Sequence, residues 1–118
     1  MHVLFESSIT DEIRQKYIVL SLDTFRFEST GITETAYCLV ENAPITEMMY
    51  IDRWQKLHSK LIENFKQQNW SFCEDAIEHL QGRWGGEVDS FYQELSKRIA
   101  YLKNEELDSE WTGVIVKN

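Results

Sequence analysis

The chain has 118 residues and a mass of 14.0 kDa, which suits one domain (residues 1–118) with a single hydrophobic core. Hydrophobic residues make up 42% of it and charged residues 27%, with one proline and five glycines, which excludes a disordered or collagen-like chain. Twenty acidic residues against twelve lysines and arginines give a formal charge of -8. With no basic patch visible in the sequence, this charge opposes nucleic-acid binding.

Location and redox state are predicted from the same features. The apolar runs are far shorter than the roughly 20 residues that cross a bilayer, so we expect no membrane span. The first six residues lack the basic leader and apolar segment of a secretory signal, which predicts a cytoplasmic protein. In a reducing compartment Cys38 and Cys73 are expected to be buried free thiols rather than a disulfide.

The first part of the chain predicts a β-hairpin over residues 17–41. Before the hairpin, Thr10 followed by two acidic residues predicts one helical turn with Thr10 as its N-cap. Residues 17–27 are rich in β-branched and aromatic side chains, as strands are. Residues 28–31 form a turn, and residues 32–40 read as the second strand.

After Pro44 the hydrophobic period becomes that of a helix, which predicts three helices within residues 46–103. The first ends at residues 67–69. The second starts at an S-x-x-E capping box, Ser71 to Glu74, and stops in the glycine-rich residues 82–86. The third begins near Glu87. The short connection between the first two predicts an antiparallel pair.

The tail, residues 104–118, leaves two alternatives open. It is acidic and polar until residues 111–116, a β-prone run that either pairs with an exposed strand edge or is a frayed terminus. The predicted fold class is therefore α+β. An antiparallel hairpin, with or without a third strand from the tail, packs against a three-helix, tetratricopeptide-like bundle.

Two stretches resemble a known family. Residues 22–27 (LDTFRF) and 35–41 (TAYCLVE), separated by a turn, resemble the last hairpin of class III nucleotide cyclase catalytic domains. The following helices resemble the tetratricopeptide-like segment that often trails bacterial cyclase domains, with Phe65 and Trp70 at the turn and Cys73 at a small-residue position. The resemblance implies a hairpin and a helical binding module.

The departures from that family remove its activity. Where the cyclase turn presents a lysine to the nucleotide, this chain has Glu28, Ser29 and Thr30, which repel phosphate or bind it weakly. The family's two metal-binding aspartates belong to an upstream part for which this chain has no room. The resemblance therefore implies no cyclase activity.

No catalytic or metal-binding constellation is visible in the sequence. His2, His58 and His79 are scattered and show neither HExxH nor an i, i+4 pair, and His58 and His79 are expected at the solvent edge of their helices. Cys73 lies near a helix start, where a thiol is activated, but it belongs to an apolar stripe and is expected in the core. We expect no catalytic residue, cofactor or metal, and hence no enzyme.

The most unusual local sequence is the glycine turn at residues 82–87. Gly85 and Gly86 can expose backbone amides before a helix, while Arg83 supplies charge and Trp84 a ring, so these four residues are the candidate ligand-binding set for an anion. The other interpretation is a glycine helix stop with Trp84 folded back on the core.

Aromatic residues suggest association as the function. The chain has four tryptophans, five tyrosines and six phenylalanines, and a two-stranded hairpin alone is marginal in water. Tyr50, Trp54 and Trp84 are the candidate interface residues. The leading hypothesis is a non-catalytic protein-interaction or self-association module, with a homodimer favoured. The alternative is a regulatory protein that binds a small molecule or nucleotide at the glycine turn.

Overall fold

The computed structural model describes residues 1–41, 48–108 and 110–117, with the backbone alone for Met48 and Met49. It confirms the α+β class. The described elements are β1 (His2–Phe5), α1 (Asp11–Lys16), β2 (Ile18–Phe27), β3 (Ile32–Val40), α2 (Met48–Lys66), α3 (Trp70–Leu80), α4 (Asp89–Leu102) and β4 (Ile115–Lys117). The chain divides into a sheet unit, Met1–Asn42 with Gly113–Asn118, and a helical unit, Ala43–Thr112.

The sheet unit has the strand order β1-β3-β2-β4. β2 and β3 are the two predicted strands, and they pair antiparallel across a turn in which Gly31 has φ +70°, a value that favours glycine. β1 was not predicted; it pairs antiparallel with β3. β4 pairs parallel with β2, so residues 115–117 of the tail join a strand edge instead of fraying.

A register shift between Ser21 and Thr24 determines which side chains share a face of the sheet. Leu20 lies opposite Cys38 and Phe25 opposite Glu34, and these two partners are an even number of residues apart on β3. The bulge therefore keeps Leu20 in the first half of β2 and Phe25 and Phe27 in the second half on one face. At one end of that face the rings of Phe5, Phe25 and Phe27 lie 5.7–6.4 Å apart.

The helix before β2 forms as the sequence predicts. The Thr10 hydroxyl accepts a hydrogen bond from the Ile13 amide at 3.2 Å. This bond satisfies one of the backbone donors that a helix start leaves without a partner. Within this unit the Arg14 guanidinium lies 5.9 Å from the ring centre of Tyr37 on β3. This contact places α1 against the face of the sheet opposite the three phenylalanines.

In the helical unit α2 and α3 are antiparallel. Trp54 of α2 contacts Trp84, just beyond α3, whereas Phe65 near the end of α2 contacts Trp70 at the start of α3. α4 turns back again, since Lys103 after its end pairs with Glu74 in the first turns of α3 at 3.1 Å. Trp111 packs beside Phe65 and Trp70. We therefore call the two ends of this unit the Trp84 end and the Trp111 end.

The predicted capping box is wrong. α3 begins at Trp70, so Ser71 already lies inside the helix, and Asn69 is the N-cap residue without a side-chain cap bond. The cause is the end of α2, where Gln68 has φ 64° and the Asn69 amide bonds to the carbonyl of Asn64 at 2.9 Å. This Schellman turn reverses the chain within three residues and makes the next helix start at once.

The predicted apolar stripes form the core of the helical unit. Side chains with less than 2% exposure include Leu61, Cys73, Leu80, Val88, Tyr92, Leu95 and Ile99. Each large apolar side chain buried in this way stabilises the fold by roughly 1.5–3 kcal/mol. None of the helices in the described ranges combines the length and the apolar character that a bilayer span requires.

Candidate interaction surface

Two aromatic side chains of α2 form a partly open stack. Tyr50 and Trp54 are one helical turn apart and therefore share a face. Their ring centres lie 6.0 Å apart with an angle of 20° between the planes. Tyr50 is 45% exposed and Trp54 is half-buried. The two predicted interface residues of α2 thus present one continuous ring surface.

Arg83 extends this stack with a positive charge. Its guanidinium carbon lies 5.3 Å from the ring centre of Trp54, which is a cation–π contact. Its Nε–H donates to the carbonyl of His79 at 3.1 Å. An arginine has five N–H donors, so this anchor fixes the side chain and leaves its outer donors for a ligand.

These residues line a cavity of about 310 Å³, whose walls are Tyr50, Arg53, Trp54, Leu57, His79 and Arg83. We call this set the aromatic–arginine surface. His79 is exposed, as predicted, and its Nδ1 lies 2.8 Å from the carbonyl of Asp75. Because a carbonyl only accepts, Nδ1 carries the proton and a neutral His79 keeps its Nε2 lone pair.

A second basic segment adjoins this surface along α2. A shallow cavity of about 480 Å³ is lined by Asp52, Arg53, Lys56, Leu57 and Lys60. Lys56 pairs with Asp52 at 3.0 Å. In the ranges that the structure describes, no ion pair involves Arg53 or Arg83. The chain therefore has a local basic patch, which the sequence pattern did not reveal.

A buried hydrogen-bonded group supports Trp54 from the core side. Trp84 meets Trp54 edge-on, with ring centres 5.9 Å apart. The Trp84 indole N–H donates to the Tyr92 hydroxyl at 2.9 Å, and that hydroxyl lies 2.8 Å from His58 Nδ1. Since these side chains are buried, their mutual bonds avoid a large desolvation cost and fix the ring on which Trp54 rests.

His58 corrects a sequence prediction. It was expected at the solvent edge, but it is fully buried. Trp54, His58, Leu61 and Phe65 are spaced by four, three and four residues, which is the spacing of the apolar stripe itself. That spacing was the available signal, and it places His58 inside the stripe rather than beside it.

The glycine turn does not unite the four predicted ligand-binding residues. The Gly82 amide donates to Asp89 Oδ1 at 2.7 Å, so a carboxylate already sits against this turn. A Cβ added to Gly86 would lie 3.8 Å from the other Asp89 oxygen. Arg83 turns instead toward Trp54. The carboxylate of Asp89 opposes an anion at Gly85 and Gly86.

Trp84 follows the other interpretation of the glycine turn, because it is only 3% exposed and folds back on the core. Trp84 is therefore not part of the exposed ring surface. It supports Trp54, while Tyr50 and Trp54 supply the accessible rings.

Both thiols are buried and they form no disulfide with each other, as predicted. Burial, together with the negative charge of the neighbouring Glu74, raises the pKa of Cys73 from 9.0 to about 11. Its Sγ lies 3.8 Å from the carbonyl of Leu61. At neutral pH this thiol is protonated and unsuited to nucleophilic attack. Among the residues with described positions, no three metal-binding side chains cluster together.

No protein-family model, curated protein or solved structure matches the chain. The resemblance to cyclase hairpins therefore stays a prediction.

Proposed function

We propose that the protein is a non-catalytic protein-interaction module that binds an acidic polypeptide segment on its aromatic–arginine surface. The observation that carries this proposal is the position of Arg53 and Arg83. Both line a cavity beside the rings of Tyr50 and Trp54, and neither takes part in an ion pair among the residues described. In a chain with an excess of acids, two such arginines suit a carboxylate ligand from outside.

The chemistry of this surface fits such a segment. A guanidinium binds a carboxylate through two parallel hydrogen bonds, which are stronger than bonds between neutral groups. Tyrosine and tryptophan add large contact area and have few torsions to fix. The two cavities share Arg53 and Leu57, so they form a continuous track along α2. A track accommodates an extended segment better than a compact small molecule.

The charge of the surface also restricts how a second copy can bind. A two-fold contact centred on this surface would bring Arg53 and Arg83 of one copy close to the same residues of the other, and like charges repel. A nucleic acid would be repelled by the net charge of -8 that the whole chain carries. A short acidic segment avoids the first cost, and because it carries few charges and contacts only this surface, it meets less of the second than a long nucleic-acid backbone does. The surface is small, so we expect weak and reversible binding.

Binding can be tested with a fluorescein-labelled peptide of six glutamates and one tyrosine, followed by fluorescence anisotropy. We expect the intact protein to bind the glutamate peptide saturably. The corresponding lysine peptide should not bind. Arg83→Ala should weaken binding about tenfold or more, because a lost charge-assisted hydrogen bond is worth roughly 1.5–3 kcal/mol. Arg53→Ala should act in the same direction.

Tyr101→Ala is the matched control, because Tyr101 is an exposed ring of the same unit, 67% accessible, outside the aromatic–arginine surface. It should leave the affinity unchanged. Circular dichroism should show that the arginine variants stay folded. The proposal is refuted if the glutamate peptide does not bind, if it binds both arginine variants as well as the original protein, or if a single-stranded oligonucleotide binds the surface more tightly.

A further inference from the structure

We infer that the acidic segment is supplied by another copy of the same chain, with Glu105 and Glu106 of one copy bound to the aromatic–arginine surface of the next. This inference rests on the proposed function. It differs from a two-fold dimer because the two contacting surfaces are different parts of the chain.

The acidic segment lies at the Trp111 end of the helical unit. Before it, Lys103 pairs with Glu74 of α3 at 3.1 Å. After it, the Trp111 ring centre lies 5.5 Å from that of Phe65 and 5.9 Å from that of Trp70. Both flanks of the segment are therefore anchored near the turn between α2 and α3. Between these anchors Glu105 and Glu106 are exposed.

The arginines lie at the opposite end of the same unit. Arg83 contacts Trp54, which precedes Phe65 by eleven residues on α2. At a rise of 1.5 Å per residue, this separation is about 16 Å along the helix axis. The segment that holds Glu105 and Glu106 is fixed by Lys103 at Glu74 and by Trp111 at Phe65, and in the described ranges neither glutamate forms an ion pair with Arg83. A neighbouring copy has no such restriction.

The charges at the two ends are complementary. Across residues 1–41, 48–108 and 110–117, no ion pair involves Glu105 or Glu106, and none involves Arg53 or Arg83. A contact between the acidic segment of one copy and the arginines of the next pairs carboxylates with guanidiniums. It also reduces the repulsion among like charges at each end. When the acidic end of one copy binds the arginine end of the next, each copy in the pair still has one unused end. Such head-to-tail contacts build rings or open chains.

Two variants, each of which removes the charges of one end, test the contributions of the two ends separately. The double variant Arg53→Ala/Arg83→Ala removes both arginines of the receiving end and keeps the acidic one, whereas Glu105→Gln/Glu106→Gln does the reverse. In sedimentation velocity we expect the unmodified protein to exceed the mass of a dimer as its concentration rises. Each variant alone should stay monomeric at the same concentration. Their equal mixture should stop at the dimer, because only one productive contact remains.

Glu12→Gln, which neutralises an exposed carboxylate of the sheet unit, should associate like the unmodified protein. Three results overturn the inference: an unmodified protein that is monomeric at every concentration, variants that associate normally, or a mixture that stays monomeric. The glutamate-peptide assay distinguishes this failure from that of the proposed function. If the peptide binds but the chain does not self-associate, the module binds a different acidic protein; if neither occurs, both proposals are wrong.

Discussion

Tyr92→Phe removes one oxygen atom from the buried centre of the helical unit. That oxygen accepts the Trp84 indole N–H at 2.9 Å and lies 2.8 Å from His58 Nδ1. Phenylalanine keeps almost the whole ring volume, so the loss falls on the two polar partners rather than on apolar burial. A buried polar group that loses a hydrogen-bond partner costs about 1–3 kcal/mol, so from the Trp84 N–H alone we expect the unfolding free energy to fall by about 1–3 kcal/mol.

Urea denaturation followed by tryptophan fluorescence measures this loss selectively, because all four tryptophans belong to the helical unit. The matched control is Tyr101→Phe, which removes the same atom from an exposed ring on the same helix. It should change the unfolding free energy by less than about 0.5 kcal/mol. A Tyr92→Phe variant as stable as this control would show that the shared hydroxyl does not stabilise the core.

Two further predictions concern Cys73 and Thr10. Burial raises the pKa of Cys73 from 9.0 to about 11, so the stabilisation from its protonated thiol is complete below pH 9.0 and is lost as the pH rises through about 11. Urea midpoints should therefore fall more steeply with pH in this range than those of Cys73→Ala; equal slopes would contradict the pKa. Thr10→Ala removes the bond to the Ile13 amide and should cost about 0.5–2 kcal/mol in denaturation followed by circular dichroism. Thr10→Ser should restore most of it, and an equal loss in both variants would argue against the cap.

Elements with a local pattern were predictable. The alternation over residues 32–40 gave the bounds of β3, and the helical period gave the buried side of α4. β1 has no comparable signal. It has four residues, and His2 pairs with Leu39 far along the chain, so its pairing depends on a strand edge that only the folded hairpin provides.

The candidate surface was predictable in part for the same reason. Tyr50 and Trp54 share a helix face through their spacing alone. The position of Arg83 depends on how α2 packs on α3, because its ring partner lies 29 residues earlier. The glycine turn misled the sequence interpretation because Asp89, seven residues after Gly82, supplies an acceptor through the folded geometry.

The helical unit is inserted in the sequence between β3 and β4, and this order affects the protein while it is being made. β2 lacks its parallel neighbour until residues 115–117 have left the ribosome, after the entire helical unit. A nascent chain therefore carries an open strand edge while the helical unit is being made, which favours wrong pairing with other chains. Arg26 on that strand is exposed, and a charged side chain at an open edge disfavours pairing with another chain.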